Sequence, residues 1–326
     1  MRFVQVNDIA SVASELAVAL RKRGHHVDLL YPKLHGAGLP PLGKLAVSPL
    51  RFVDWLRLAW RLRRGNYDAV HIHYAYLGIV GLLARVPYVL HCHGDDVRDV
   101  DRRVWAPLIR LALKRARHVY YSTPDLREAL MRIRPDAEFL PNPIDIEQFH
   151  PCPLPPDAED VLVACALAEN KGVSNILAAC RILAGARPEV RVTAVAGGSG
   201  TAEAESLPNV LLLMHQPRAK LPSLMARHRV IVGQVYQGAV GMVELESLAC
   251  ARPVIAWFTY PEAYEEPPPF VQALTGEAIA AAVTRLLEDP AEAARIGAES
   301  RAWVERQHNA VTIAGRIEAL AIRLSR

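Results

Sequence analysis

Apolar residues in the first half of the chain fall in short runs, separated by stretches in which apolar and charged positions alternate with helical spacing. That rhythm predicts parallel strands joined by crossover helices. Strands are expected at Phe3–Val6, Val27–Tyr31, Ala69–His73, Tyr88–His91, His118–Ser122 and Glu138–Leu140. A helix over Ser11–Arg23 stops at Gly24. Another, over Arg103–Arg117, gathers Lys114, Arg115 and Arg117 at its C-terminal end, where cations meet the helix dipole.

The stretch from 141 to 160 is rich in proline and acidic groups, including Pro141, Pro143, Pro151, Pro153, Pro155 and Pro156, and suits a stiff extended linker. Beyond it the strand pattern restarts at Val161–Ala166, Val190–Ala196, Val210–Leu213, Val230–Val232 and Val254–Trp257. After Pro261 the chain turns helical, over Gly276–Glu288, Ala291–Arg306 and Val311–Leu324, broken at Asp289-Pro290. The pattern therefore predicts an α/β protein of two domains, 1–150 and 151–326, each an open doubly wound parallel sheet, with the final helices returning to the first domain. In such sheets ligands bind at the carboxyl ends of the strands, so two of them joined by a linker would form an inter-domain cleft.

A chain of 326 residues, 51% apolar, can fill two cores. No apolar run reaches the roughly 18 residues that cross a bilayer, and Met1 leads straight into a strand-like segment. Five cysteines lack paired zinc-like spacing, and the apolar settings of Cys165, Cys180 and Cys250 suit reduced, buried thiols. A cytoplasmic setting is expected, with peripheral attachment to the inner face of the membrane as an option. The net charge is +4, unevenly spread: residues 1–155 carry 22 basic against 15 acidic side chains, and the remainder 16 against 19. A basic front half suits an anionic membrane, a phosphorylated acceptor or nucleic acid, and net charge alone does not choose among them.

The sharpest segment runs Gly241-Met-Val-Glu-Leu-Glu246-Ser-Leu-Ala-Cys-Ala-Arg-Pro253. A helix opened by Gly238 and Gly241 offers unpaired N–H groups to a diphosphate, and Glu246 could accept hydrogen bonds from ribose hydroxyls. A glycine-capped helix with a solvated glutamate is the plainer account of the same residues.

This segment resembles the donor-site signature of retaining glycosyltransferases of family 4, which have the GT-B fold. Other pieces follow in that family's order: His91-Cys92-His93-Gly94-Asp95-Asp96 resembles its His-Gly-x-Asp motif, and Pro141-Asn142-Pro143-Ile144-Asp145 its strand-to-linker motif. Lys171-Gly172, the turn Gly197-Gly198-Ser199-Gly200 and Pro208-Asn209-Val210 complete the set. The resemblance implies Lys171 on the donor diphosphate, Glu246 on the ribose, His93 beside the transferred sugar with Asp96 orienting it, and Gly198, Gln234, Gly238 and Gly241 in the donor loops. It implies further that a UDP-, GDP- or ADP-sugar is a substrate, that no cofactor or metal is obligatory, and that transfer retains anomeric configuration. Two positions depart from the family pattern. Ala166 stands five residues before Lys171, where an arginine is usual, and Gly238 stands eight before Glu246, where a glutamate is usual. The first loop, Asn7-Asp8-Ile9-Ala10-Ser11, lacks the usual glycine pair.

Alternatives from other classes stay open. Ala166 and Gly238 motivate a non-catalytic nucleotide-sugar binder or partner subunit. His71-x-His73 and His91-x-His93, each pair on one strand face, motivate a metal-dependent hydrolase. No G-x-G-x-x-G follows the first strand, which argues against a dehydrogenase, and no nucleic-acid motif accompanies the charge. The stretch Pro49–Arg64 reads as an arginine-rich amphipathic helix in which Arg57, Trp60 and Arg61 could face an anionic membrane or a glycan or lipid-linked acceptor, or form the solvent face of a packed helix.

Overall fold

A computed structural model describes residues 1–326 apart from 34, 36–38, 41–42, 44–45, 95, 99, 103–104 and 326. Asp95 of the expected acceptor motif, and Arg103 with Val104 at the start of an expected helix, lie outside the described residues. The chain forms two compact units, Met1–Pro143 with Ala310–Arg326, and Ile144–Asn309.

Unit 1 holds strands β1 (Arg2–Val6), β2 (His26–Leu30), β3 (Ala69–His73), β4 (Val89–Cys92), β5 (His118–Tyr121) and β6 (Glu138–Phe139). Its helices are α1 (Val12–Lys22), α2 (Ser48–Arg64), α3 (Gly78–Ala84), α4 (Ala106–Arg115) and α5 (Arg127–Met131). The sheet order is β2-β1-β3-β4-β5-β6, with every pair parallel. The order reverses between β1 and β3, so the switch point lies beside the loops that follow Val6 and His73. Val4, Val6, Ile72, Leu90, Leu113 and Leu126 are among the residues of its core.

Unit 2 holds β7 (Glu159–Val163), β8 (Val192–Val195), β9 (Val210–Leu213), β10 (His228–Val232), β11 (Val254–Ala256) and β12 (Val271–Gln272). Its helices are α6 (Val173–Ala186), α7 (Thr201–Glu205), α8 (Leu221–Ala226), α9 (Met242–Ala249), α10 (Gly276–Glu288) and α11 (Pro290–Gln307), and α12 (Ala310–Ser325) follows in unit 1. The order β12-β11-β10-β7-β8-β9 places this sheet's switch point between β7 and β10. A separate core forms around Val163, Leu167, Ile176, Val232, Ile255 and Val283. The expected α/β class, two doubly wound parallel sheets, is the one observed.

The expected strands are present with shifted ends, and β12 was not anticipated from the proline-rich stretch before it. The segment after 141 is packed rather than a free linker. Pro141, Asn142, Pro143 and Ile144 are buried. Ile144 N donates to His308 O at 2.8 Å, and Ile144 pairs in parallel with Asn309. Arg301 clamps the same segment, donating to Phe149 O at 2.6 Å and to Ile146 O at 3.1 Å. The division therefore falls at Pro143 and Ile144, ahead of residue 150, because Phe149 is fully buried in unit 2. Of the final helices only α12 belongs to unit 1, where it packs on α1 and carries Glu318 to Arg23, with Nε to Oε2 at 2.7 Å.

Candidate functional site

In unit 1 the loop from β1 to α1 keeps a glycine-type backbone without glycine. Asn7, Ala10 and Ser11 all have positive φ, at 72°, 49° and 65°. Asp8 makes this turn affordable by capping α1: its Oδ1 accepts from Ala13 N at 3.0 Å and Ser14 N at 3.4 Å, and Oδ2 accepts from the Ser14 hydroxyl. Ser11, the expected helix start, makes no side-chain cap. Asn7 ties the turn to the neighbouring strand end, donating from Nδ2 to His73 O at 3.3 Å.

Strands β3 and β4 pair with His73 opposite His91, so alternation places His71, His73 and His91 on one face of the sheet, with His93 just past the end of β4. The rings are layered. Centroids lie 4.5 Å apart for His71 and His73, 5.1 Å for His73 and His93, and 4.3 Å for His91 and His93. His73 Nδ1 meets His93 Nε2 at 2.9 Å, and His73 Nε2 meets Gln5 Oε1 at 2.7 Å. Burial, reinforced by the neighbouring His71, pushes the His93 imidazole down to about 3, so the ring is neutral and serves as a hydrogen-bond partner rather than a cation.

Asp96 does not orient that ring. Its Oδ1 accepts from the backbone N–H groups of His93 at 3.0 Å and Gly94 at 2.8 Å, and its Oδ2 from Ala75 N at 2.7 Å. Burial raises its carboxyl above the usual range, while these N–H donors pull it back. Asp96 thus knots the loop that presents His93, because three unpaired backbone donors outbid one imidazole. Tyr74, next to His73, is held at φ 88°, a sparsely populated conformation for a bulky residue.

In unit 2 the loops at the carboxyl ends of β7, β8, β10 and β11 interlock. Gly200 N donates to Leu167 O at 2.9 Å, and at Gly198, with φ 103°, an added Cβ would lie 2.3 Å from that same oxygen. Only glycine lets the β8 loop approach so closely. Val235 N donates to Lys171 O at 3.0 Å, which ties the β7 loop to the β10 loop. Lys171 is half-buried, and among the described residues its ammonium has no hydrogen bond or ion pair. Ala166 is exposed.

Gln234 is buried and turned onto its own loop. Its amide donates to Ala239 O, and its Oε1 accepts from Gln237 N at 2.8 Å and Tyr236 N at 3.3 Å. Gly238 has φ 68° and is pressed against Thr259, whose N donates to Gly238 O at 3.0 Å. A Cβ there would lie 2.3 Å from Thr259 Oγ1, so the glutamate usual at this position does not fit this loop. Gly241 is the extended residue that opens α9.

Two residues of this region escaped the sequence reading. Glu244, in the first turn of α9, is buried and accepts from Gln234 N at 2.7 Å, where the helix N-terminus favours a carboxylate. Its position two residues before Glu246 was the available signal. Arg218, after β9, pairs with Glu246 with Nε to Oε1 at 2.8 Å, and no local pattern announces that partner. Glu246 is 3% exposed and fixed by this pair rather than solvated.

In α2 the side chains of Leu50, Phe52, Val53, Leu56 and Trp60 are exposed, as are Arg57, Arg61, Arg63 and Arg64, while Leu58, Ala59 and Leu62 face the core. The Arg64 guanidinium lies over the Trp60 ring, 4.6 Å from its centroid.

A Glycosyltransferase Family 4 model matches residues 9–148, and a Glycosyl transferases group 1 model matches residues 145–303. The chain belongs to the family 4 glycosyltransferases. A relative in this family is the D-inositol 3-phosphate glycosyltransferase of Thermobispora bispora, 28% identical over 236 residues, a match covering 59% of this chain and 55% of that protein. The family 4 chain thus spans about half the length of that relative. Its fold is similar to that of sucrose-phosphate synthase from Thermosynechococcus elongatus, with a TM-score of 0.75, 20% identity and 99% of both chains covered. It is also similar to Anabaena HepE, solved with UDP and glucose, with a TM-score of 0.72, 16% identity, and 98% of this chain and 99% of that one covered. These likenesses identify the fold as GT-B. No described helix is long and apolar enough to cross a membrane.

Proposed function

We propose that this family 4 chain transfers a sugar from a nucleotide-sugar donor held by unit 2 to a hydroxyl of a glycan, lipid-linked or small-molecule acceptor held by unit 1, with retention of anomeric configuration. The observation that carries the proposal is in unit 2, where the Lys171 ammonium, unpaired among the described residues, the glycine-opened start of α9 and the fixed Glu246 carboxylate within α9 lie on the loop after β7 and the helix after β10. Lys171 and the α9 N–H groups meet the diphosphate, and Glu246 accepts from the ribose. The bond between the anomeric carbon and the phosphate oxygen breaks as the acceptor oxygen attacks on the same face. The departing phosphate takes the acceptor proton, giving a glycoside and a nucleoside diphosphate, while His93, neutral and braced by His73, hydrogen-bonds a sugar hydroxyl. A UDP-linked donor is favoured by HepE, whose structure contains UDP and glucose.

The test is calorimetric titration with UDP, GDP and ADP, followed by a nucleotide-release assay over an acceptor panel. Binding of one nucleotide together with acceptor-dependent release supports the proposal, and binding of none of the three overturns it. Exposed Ala166 and the closed Gly238 position favour a second reading, a nucleotide-sugar binder without turnover. Nucleotide binding with no release over the whole panel selects it. The hydrolase reading has less support, because a catalytic metal needs a position open to water and His71, His73 and His91 are at most 2% exposed.

The arginine-rich, apolar outer face of α2 suits attachment to an anionic bilayer. Such attachment would bring a lipid-linked acceptor to unit 1.

A further inference from the structure

Next to His73 and His93 the sheet of unit 1 carries two further histidines, His71 and His91, that sugar transfer does not use. His71, His73 and His91 are 2%, 0% and 0% exposed, and one ring nitrogen from each lies within 4.8 Å of the others. Among the described residues, neither nitrogen of His71 and neither nitrogen of His91 has a hydrogen-bond partner. A neutral imidazole brings one donor and one acceptor, so two rings leave four polar atoms uncompensated in the interior. Buried polar atoms in folded proteins are normally satisfied, and a pair of adjacent rings with none satisfied points to a missing ligand.

We infer that His71, His73 and His91 form an imidazole-only binding site for a divalent d-block cation of the zinc class, with His93 placed to close it as the fourth ligand. The donor set fits the chemistry, since imidazole suits zinc, copper and nickel, and four protein ligands sealed from water give the closed four-coordination of a structural rather than a catalytic zinc site, here without the usual cysteines. The strands supply the spacing: His71 and His73 share a face of β3, and register sets His91 beside His73 on β4. The His71 and His91 planes lie 9° apart with centroids at 5.4 Å, so the rings turn about their side-chain bonds to converge. A tetrahedral zinc site brings ligand nitrogens to about 3.4 Å from one another, a closing movement of up to about 1.4 Å from the present separations. His71 and His91 give up no hydrogen bond in that movement, and His73 gives up one of its two, to His93 or to Gln5, while His93 turns to become the fourth ligand. Occupancy of the site would therefore reset the His93 ring. The site stands on unit 1 alone and does not rest on the transferase reading.

The test uses the tag-free full chain, stripped with chelator and dialysed against Zn2+ or Co2+. One equivalent of metal retained per chain, with the visible absorption of four-coordinate Co2+, is the expected result. His71→Asn and His91→Asn are each expected to weaken affinity at least 100-fold, and His215→Asn, on an exposed loop of unit 2, to leave it unchanged. Circular dichroism of the metal-free variants shows that each is folded. Should either core variant fail to fold, the position of histidine ring resonances in the wild-type chain with and without Zn2+ gives the same answer. No metal retained by the wild-type chain, or one equivalent retained equally by the His71 and His91 variants, overturns the site. Nucleotide binding to unit 2 is measured in parallel, so that loss of the metal site and loss of the donor site are read separately.

Discussion

Arg218 holds Glu246. Its Nε lies 2.8 Å from Glu246 Oε1, and its guanidinium sits over the Phe149 ring, 4.8 Å from the centroid. The arginine is 23% exposed and the glutamate 3%, so the pair is partly shielded and fixes the carboxylate in one orientation. Glu246→Ala is expected to raise the dissociation constant for the nucleoside diphosphate at least tenfold. It should also lower stability by about 1–3 kcal/mol, because Arg218 loses its partner. Titration and thermal melting separate the two effects, and unchanged affinity removes the ribose assignment.

Lys171 gives the opposite balance. Its half-buried ammonium makes no ion pair among the described residues, so Lys171→Ala is expected to leave stability within about 0.5 kcal/mol. Diphosphate affinity should fall tenfold or more, while affinity for the bare nucleoside stays the same. Equal loss for nucleoside and diphosphate would place Lys171 elsewhere than on the phosphates.

The first loop stores strain that glycine would release. Ala10 is exposed at φ 49° and Ser11 is half-exposed at φ 65°, a region where a Cβ costs about 1–2 kcal/mol per residue. Part of any gain is lost to the greater freedom of glycine in the unfolded chain. Ala10→Gly should therefore raise stability by up to about 1 kcal/mol, seen as a melting temperature higher by roughly 2–4 °C. A lower melting temperature would show that the backbone takes a different course there.

The thiols follow their burial. Burial pushes Cys165 and Cys250 up to about 12 and Cys180 up to about 11, so near pH 8 each stays in the unreactive thiol form. Thiolate appears only as pH rises toward those values. Cys152 is half-exposed. Alkylation of the native chain at pH 8 is expected to label Cys152 and to spare the buried Cys92, Cys165, Cys180 and Cys250, as read by peptide mass spectrometry. Rapid labelling of Cys250 without denaturant would contradict its burial at the C-terminal end of α9.

Much of the architecture was legible because strand alternation and helical spacing are local signals, and so was the ordered series of motifs from His93 to Glu246. What escaped depends on partners remote in sequence. Arg218 reaches Glu246 across 28 positions. The Asp96 carboxylate turns to three backbone N–H groups, a choice that nothing in His93-Gly94-Asp95-Asp96 reveals. The i, i+2 histidine pairs were visible, but only the β3–β4 register shows that they form one layer. The proline-rich stretch read as a linker because proline is common in both extended linkers and buried crossings. Hydrogen bonding of Ile144 to His308 and burial of Phe149 decide between them.

The outer face of α2 gives the last prediction. Val53, Leu56 and Trp60 recur at helical spacing and are 42%, 44% and 56% exposed, and Arg57, Arg61 and Arg64 run alongside them. The one acidic residue of the helix, Asp54, is buried and accepts from Lys33 N at 2.6 Å, so it does not offset the outward charge. Each arginine near an anionic surface contributes about 1 kcal/mol, screened by salt, while a buried tryptophan contributes in a salt-independent way. The chain is therefore expected to float with vesicles containing phosphatidylglycerol and not with purely zwitterionic ones. Arg57→Glu with Arg61→Glu should abolish flotation at low salt and at physiological salt alike. Trp60→Ser should weaken it while preserving its salt dependence. Equal flotation of all three proteins, or none by the wild-type chain, would assign α2 to the solvent.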